Sequence, residues 1–259
     1  MNNLGYYLLV IIFGLIVGSF LNAVIYRLHQ GKSFIRGRSF CPQCGHSLSA
    51  MDLVPILSFI LLGGRCRYCD KKISWQYPLV EFFVAVSFVI IYFTYGWSLQ
   101  FVFYLIITAF LALIFVYDLK YHLILDKVSL PALFLAFIFS LILKMPVLEI
   151  LIGLVIGAGF FFLQFTLSRG KWVGGGDIRL GGLMGAALGW QKLLAALFLA
   201  YISGSLVSLF LIIFRRKTMK SRLPFGPFLV VAAFVCLIFG QAIIDWYLEG
   251  SFLDPLFNL

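Results

Sequence analysis

The sequence predicts an all-α polytopic membrane protein of about eight transmembrane helices, with a small cytosolic zinc-knuckle insertion between the first and the second. Three observations carry this. Of the 259 residues, 63% are apolar and 18% aromatic, and the mean hydropathy is +1.06; a soluble domain must clothe its outside in polar groups and cannot use so much apolar surface. The apolar residues gather in runs of about 20, the length that crosses a bilayer as a helix. The net charge is +10, yet the basic residues cluster in the loops between runs, which argues for membrane topology and against nucleic acid.

The runs are Gly5 to Tyr26, Leu79 to Tyr95, Leu99 to Tyr117, Val128 to Leu143, Val147 to Leu167, Ile178 to Trp190, Leu193 to Phe214 and Phe225 to Tyr247. No basic region precedes the first and Arg27 follows it, so a retained helix is expected and not a cleaved signal peptide. The sixth is short and glycine-rich, a segment that could be tilted, re-entrant or shielded by neighbours. With loops numbered alternately, one side holds 18 of the 20 Lys and Arg, and the other only Lys144 and Lys192. The positive-inside rule places the rich side in the cytosol. Both termini are then outside, where Glu249 and Asp254 fit. The expected division is a first helix at 1–26, a cytosolic insertion at 27–78 and a membrane core at 79–259.

The insertion contains Cys41, Cys44, Cys66 and Cys69 as two CxxC pairs separated by 21 residues. Each pair is a turn that can aim two thiolates at one metal, and two such turns complete a tetrahedral zinc site. Pro42, Gly45 and Gly63-Gly64 suit tight turns. Two disulfides or a redox CxxC are the alternatives; a cytosolic location disfavours the first, and a redox motif would not need two matched pairs. His46 could replace one cysteine, or be an ordinary surface histidine. A closed four-cysteine site is structural, holding a segment too small to build its own core. Cys236 lies in an apolar run and reads as packing.

Only ten acidic residues exist. Asp52 and Asp70 belong to the insertion; Glu149, Asp245, Glu249 and Asp254 fall near the outer boundary or in the tail. Glu81, Asp118, Asp126 and Asp177 all lie near the cytosolic boundary. Asp118 ends the third run and Asp177 begins the sixth, behind Gly174-Gly175-Gly176. An even number of crossings separates them, so both reach the same face. Two carboxyls in one site cannot both ionise cheaply; one keeps a proton while the other takes a proton from attacking water. That is the aspartic-protease arrangement. The glycines allow close approach of an extended peptide, and Gly181, Gly185 and Gly189 recur on one helical face suited to close packing. The alternative is a flexible connector with Asp177 as an N-cap. A serine triad in the membrane has no base, because His29, His46 and His122 all fall in loops; HExxH and GxGxxG are absent.

The chain resembles the bacterial type IV prepilin peptidases, bifunctional enzymes of the GxGD aspartyl protease class, over nearly its full length. The resemblance rests on Gly18-Ser19-Phe20-Leu21-Asn22 with Tyr26-Arg27, the paired CxxC, Asp52-Leu53-Val54-Pro55-Ile56-Leu57-Ser58, Gly64-Arg65-Cys66-Arg67-Tyr68-Cys69 and Tyr77-Pro78-Leu79-Val80-Glu81. It continues through Asp118-Leu119, Asp126, Gly174-Gly175-Gly176-Asp177 and Pro224-Phe225-Gly226-Pro227. It implies that Asp118 and Asp177 are the catalytic pair, with Asp126, Gly174 and Gly176 accessory to their motifs. Leu125 stands where the family usually has proline, and Arg179 where it tends to have lysine.

The resemblance further implies precursors of type IV pilins or pseudopilins as substrates, cut on the cytosolic side after a glycine that ends a basic leader. In many members S-adenosylmethionine then methylates the new N-terminus. Glu81 is the candidate for that second activity, because a carboxylate at a helix start could orient an amine or a sulfonium; pairing with an arginine or lysine of the insertion is the alternative. A transporter or a noncatalytic assembly factor with a zinc knuckle is the competing class, and a transporter would place ionisable groups at the midplane of repeated halves.

Overall fold

The computed structural model describes residues 3–33, 37–214 and 223–249. Among these described residues eight α-helices form: α1 Asn3–His29, α2 Leu57–Leu61, α3 Gln76–Tyr95, α4 Leu99–Tyr121, α5 Asp126–Ile142, α6 Val147–Ser168, α7 Gly175–Ile213 and α8 Gly226–Glu249. Among the described residues there is no strand, only isolated bridges at Phe40 with Ser47 and Arg65 with Lys72. Among the described residues six helices are long and apolar enough to cross a membrane. The basic run from Arg215 to Arg222, Arg36, the Glu249 side chain and Asp254 lie outside what is described.

The 39-residue α7 is two helices joined at Gly189, whose φ of 74° and ψ of 171° are not helical. Its neighbours on α6 give the direction of each half. Gly153 faces Gly185 and Gly189, Gly157 faces Gly181 and Leu193, and Gln164 faces Tyr201. Passing up α6, the first half of α7 is therefore met in descending order and the second in ascending order. The two halves form a hairpin. Counting them separately and adding the 17-residue α5 to the remaining long helices gives eight crossings, as the sequence predicts, with the turn at Gly189 and not after Trp190.

The chain divides into two compact units, Met1–Phe101 and Val102–Leu259. In the first, α1 packs on α3 through small residues: a Cβ on Gly14 would lie 2.6 Å from Ala85 Cα, and one on Gly18 2.6 Å from Glu81 Cα. In the second, the first half of α7 is the centre. Leu180 through Gly189 are all buried, so this short glycine-rich crossing is shielded by protein. A Cβ on Gly153 would lie 2.5 Å from Gly185 O, so α6 and α7 touch backbone to backbone, the approach that small residues at four-residue spacing permit. On the opposite side, Ser140 Oγ of α5 donates to Ala186 O at 2.8 Å. Ala132 and Ala136 are fully buried, and the rings of Phe103 and Phe139 stack at 5.4 Å.

Candidate functional site

The second unit buries two carboxylates, Asp118 at 5% and Asp177 at 7% exposure, and among the described residues neither forms an ion pair. Asp118 sits in the last turn of α4, where the helix dipole opposes an anion. It is met by the start of α8: the Gly226 backbone N–H donates to its carboxylate, and a Cβ on Gly226 would collide with Oδ2. Asp177 is the third residue of α7, with Gly174 as N-cap. Gly174 N–H donates to Asp177 Oδ2 at 2.8 Å, and Asp177 N–H returns to Gly174 O at 3.1 Å. Each carboxylate thus faces a helix N-terminus, the end that favours negative charge. Asp177 does cap its helix, but from the third position, through one oxygen.

The Ile124 side chain joins the two halves of the site. A Cβ on Gly176 would lie 2.6 Å from Ile124 Cβ, and one on Gly226 3.3 Å from Ile124 Cδ1. Glycine is required at 176 because Ile124 fills the space, and at 226 because the Asp118 carboxylate does. Asp118 and Asp177 are close enough to interact electrostatically.

Asp126, the first residue of α5, is half exposed and pairs with Arg179 of α7. This ion pair ties the helix that follows Asp118 to the helix that carries Asp177. Leu125 has φ −79°, close to the value that a proline ring would impose, so the leucine preserves the turn into Asp126.

Two residues near the site carry no local sequence signal. Gln164 of α6 and Tyr201 of α7 hydrogen-bond through Nε2 to OH at 2.9 Å and OH to Oε1 at 3.0 Å. The Tyr201 ring rests 4.8 Å from that of Phe225, the residue before Gly226, and its hydroxyl is within electrostatic reach of Asp177. Only the convergence of three helices brings them there.

In the first unit, the four cysteines come together. Their sulfurs lie within 4.8 Å of one another, and Cys41 Sγ and Cys69 Sγ are 3.9 Å apart. Sulfurs at about 2.3 Å from a tetrahedral metal are separated by roughly 3.8 Å, so the set fits a four-thiolate ion, and all are free thiols. The two knuckles repeat one design. Cys41 N–H donates to His46 O and Gly45 N–H to Cys41 O; Cys66 N–H donates to Lys71 O and Asp70 N–H to Cys66 O, all at 2.9 Å. Gly45 at φ 70° and Asp70 at φ 57° hold matching left-handed positions. The second turn therefore uses Asp70, and Gly63-Gly64 serve the turn leaving α2. His46 stacks on Tyr68 at 3.7 Å, apart from the sulfur cluster.

Asp52 braces the second knuckle. It accepts from Ser49 N at 3.0 Å, Ser49 Oγ at 2.7 Å, Arg67 Nε at 2.7 Å and Tyr68 OH at 3.2 Å. Burial pushes its carboxyl up, but these donors outweigh it and hold the group at about 2. Glu81 is 6% exposed. Its Oε2 accepts the backbone N–H of Ile56 at 2.8 Å, and among the described residues it pairs with no arginine or lysine. Ile56 has φ 59°, strained for a β-branched residue, so Glu81 secures a costly turn.

Fold and site together define a polytopic helical membrane protein with two buried carboxylates that each face a helix N-terminus and a cluster of four cysteines with the spacing of a metal site. The chain belongs to the type IV leader peptidase family. The model of that family matches residues 105–240, and that of the bacterial peptidase A24 N-terminal domain matches residues 12–95. The chain is 34% identical to the prepilin leader peptidase/N-methyltransferase of Aeromonas salmonicida strain A449, over 94% of each chain. It is 32% identical to the protein of that name in Bacillus subtilis strain 168, over 92% of this chain and 96% of the relative. The Pseudomonas aeruginosa counterpart is 30% identical, over 95% and 94%. No solved structure gives a significant match.

Proposed function

We propose that this chain is a membrane-embedded aspartyl endopeptidase that removes the basic leader of type IV prepilins or pseudopilins after a glycine, and N-methylates the new terminus. The observation that carries the peptidase reading is the pair of buried carboxylates, Asp118 and Asp177, each turned toward a helix N-terminus and joined across Ile124. The charged carboxyl takes a proton from water as its oxygen attacks the scissile carbonyl, and the protonated one donates to the carbonyl oxygen. Asp126 acts through its ion pair with Arg179, and Gly174 and Gly176 keep the backbone close to Asp177 and Ile124.

Zinc is the ion that four thiolates in this arrangement suit, and its role is structural, holding the two knuckles of the 27–78 insertion together, while the 79–259 segment is the membrane core. S-adenosylmethionine would supply the methyl group. Glu81 contributes to that reaction by holding the Ile56 turn, and its carboxylate, which also accepts from the Ser19 hydroxyl, orients an amine. The basic side of the loops sets the insertion and the dyad in the cytosol of a bacterium, with both termini across its cytoplasmic membrane.

Intact mass of a model prepilin co-expressed with the parent chain tests the reading. Loss of the leader, with a further gain of about 14 Da for one methyl group, is the expected result. An unprocessed precursor beside a folded parent chain would overturn it.

A further inference from the structure

The insertion is the polar part of this chain, yet it carries an outward apolar face. Within and around the short α2, Met51 is 74%, Leu57 58%, Ile60 64% and Leu61 84% exposed. The face is continuous with the membrane-crossing surface of α3. The Phe59 ring of α2 lies 4.9 Å from that of Trp75, and Trp75, Leu79, Phe82 and Phe83 form one exposed stripe at helical spacing down α3.

Depth follows from length. The 20 residues of α3 rise about 30 Å, the full hydrocarbon thickness, so its first turns cannot stand clear of the bilayer. Ile56, the residue before α2, donates its backbone N–H to Glu81 Oε2 at 2.8 Å. Glu81 is the sixth residue of α3 and its side chain points back toward the helix start. The chain entering α2 is therefore tied to the first turns of a membrane span, with Trp75 beside it where tryptophan marks a bilayer boundary.

We propose that segment 51–61 docks on the lipid surface, with Leu57, Ile60 and Leu61 seated among the headgroups and upper acyl chains. Charge agrees with this occupant. Between residues 27 and 78 there are eight Lys and Arg against two Asp, which draws the insertion to anionic headgroups. A cationic peptide would be repelled from the same flank. The four-thiolate knuckles are thereby held at the membrane surface by two attachments, the α1 and α3 spans and the α2 face. This rests on no catalytic assignment.

The full chain in lipid nanodiscs, with the photoreactive residue benzoylphenylalanine replacing Leu61 and, separately, Ile60, reads the contact directly. Gln43, exposed in the first knuckle, is the control position, and the metal content of each variant reports folding. Irradiation should give phospholipid adducts from positions 60 and 61 and about tenfold fewer from 43, with the yield rising as phosphatidylglycerol replaces phosphatidylcholine. Adducts to protein at 60 and 61, whether this chain, a second copy or an added precursor, would overturn the proposal. So would equal lipid labelling at position 43.

Discussion

Asp118 carries a conflict that the fold resolves. In the last turn of α4 its own helix dipole opposes a negative charge, and the α8 N-terminus at Gly226 offsets it. The contact depends on the absence of a side chain at 226. Gly226→Ala would push a methyl group into Asp118 Oδ2, and a misplacement of about 1 Å at a reacting group costs on the order of 100-fold in rate. We expect a loss of that order in leader release, with expression retained; a rate near that of the parent would show that Asp118 does not need this seat. Tyr201→Phe keeps the ring against Phe225 and leaves Gln164 without its hydroxyl partner. Losing that hydrogen bond costs about 1 kcal/mol. Thermal unfolding and leader release should each fall modestly, and no change in either would remove Tyr201 from the site.

The contact of α6 with α7 decides the form of the second unit. Gly153 and Gly157 on one helix meet Gly181 and Gly185 on the other backbone to backbone. Gly185→Ala would press a methyl group on the Gly153 carbonyl, an overpacking that costs about 3 kcal/mol, the upper end for a core that cannot relax. A large fall in the unfolding temperature in detergent is expected, and an unchanged one would mean that the helices can separate at no cost. One half of this contact is legible in the sequence, because Gly181, Gly185 and Gly189 recur every four residues. The receiving glycines on α6 are not, since nothing local says which helix approaches. The same limit hides Ile124 and the Gln164–Tyr201 pair, which depend on contacts between segments distant in sequence. The apolar runs gave all eight crossings, but the hairpin break fell at Gly189, within a run, because a positive φ at one glycine can turn a helix without a polar loop. The cysteine spacing announced the four-cysteine cluster, whereas the Asp70 turn and the hold of Glu81 on Ile56 depend on left-handed backbone positions at residues that do not ordinarily adopt them.

Across the whole molecule, the four-cysteine cluster and the buried Glu81 belong to the first compact unit, and the paired aspartates to the second. Asp52 braces the cysteine cluster; Asp118 ends α4 and Asp177 begins α7, both near the ends of spans and not at a midplane. That placement suits a substrate cut at the membrane boundary more than an ion passed through it. Cys41→Ser should release the metal and loosen the insertion, read as metal per chain by mass spectrometry; unchanged content would remove Cys41 from the ligand set. Acid separates two contributions in the same segment. The Asp52 carboxyl is held down at about 2, so its stabilisation is complete above its ordinary value near 4 and lost only as pH falls from there through 2. Metal loss between pH 7 and 5 therefore does not arise from Asp52, and Asp52→Asn should weaken chelator resistance equally at both values. A difference that appears only at pH 5 would contradict this.

The most direct test of the account compares leader release from a full-length precursor by three purified proteins in lipid nanodiscs: the parent, Asp118→Asn and Asp177→Asn. Metal content and thermal unfolding measured on the same samples establish that each is folded. Cleavage by the parent and none by either variant is expected, with metal retained in all three. Cleavage by a folded variant at the rate of the parent would contradict the paired-carboxylate site.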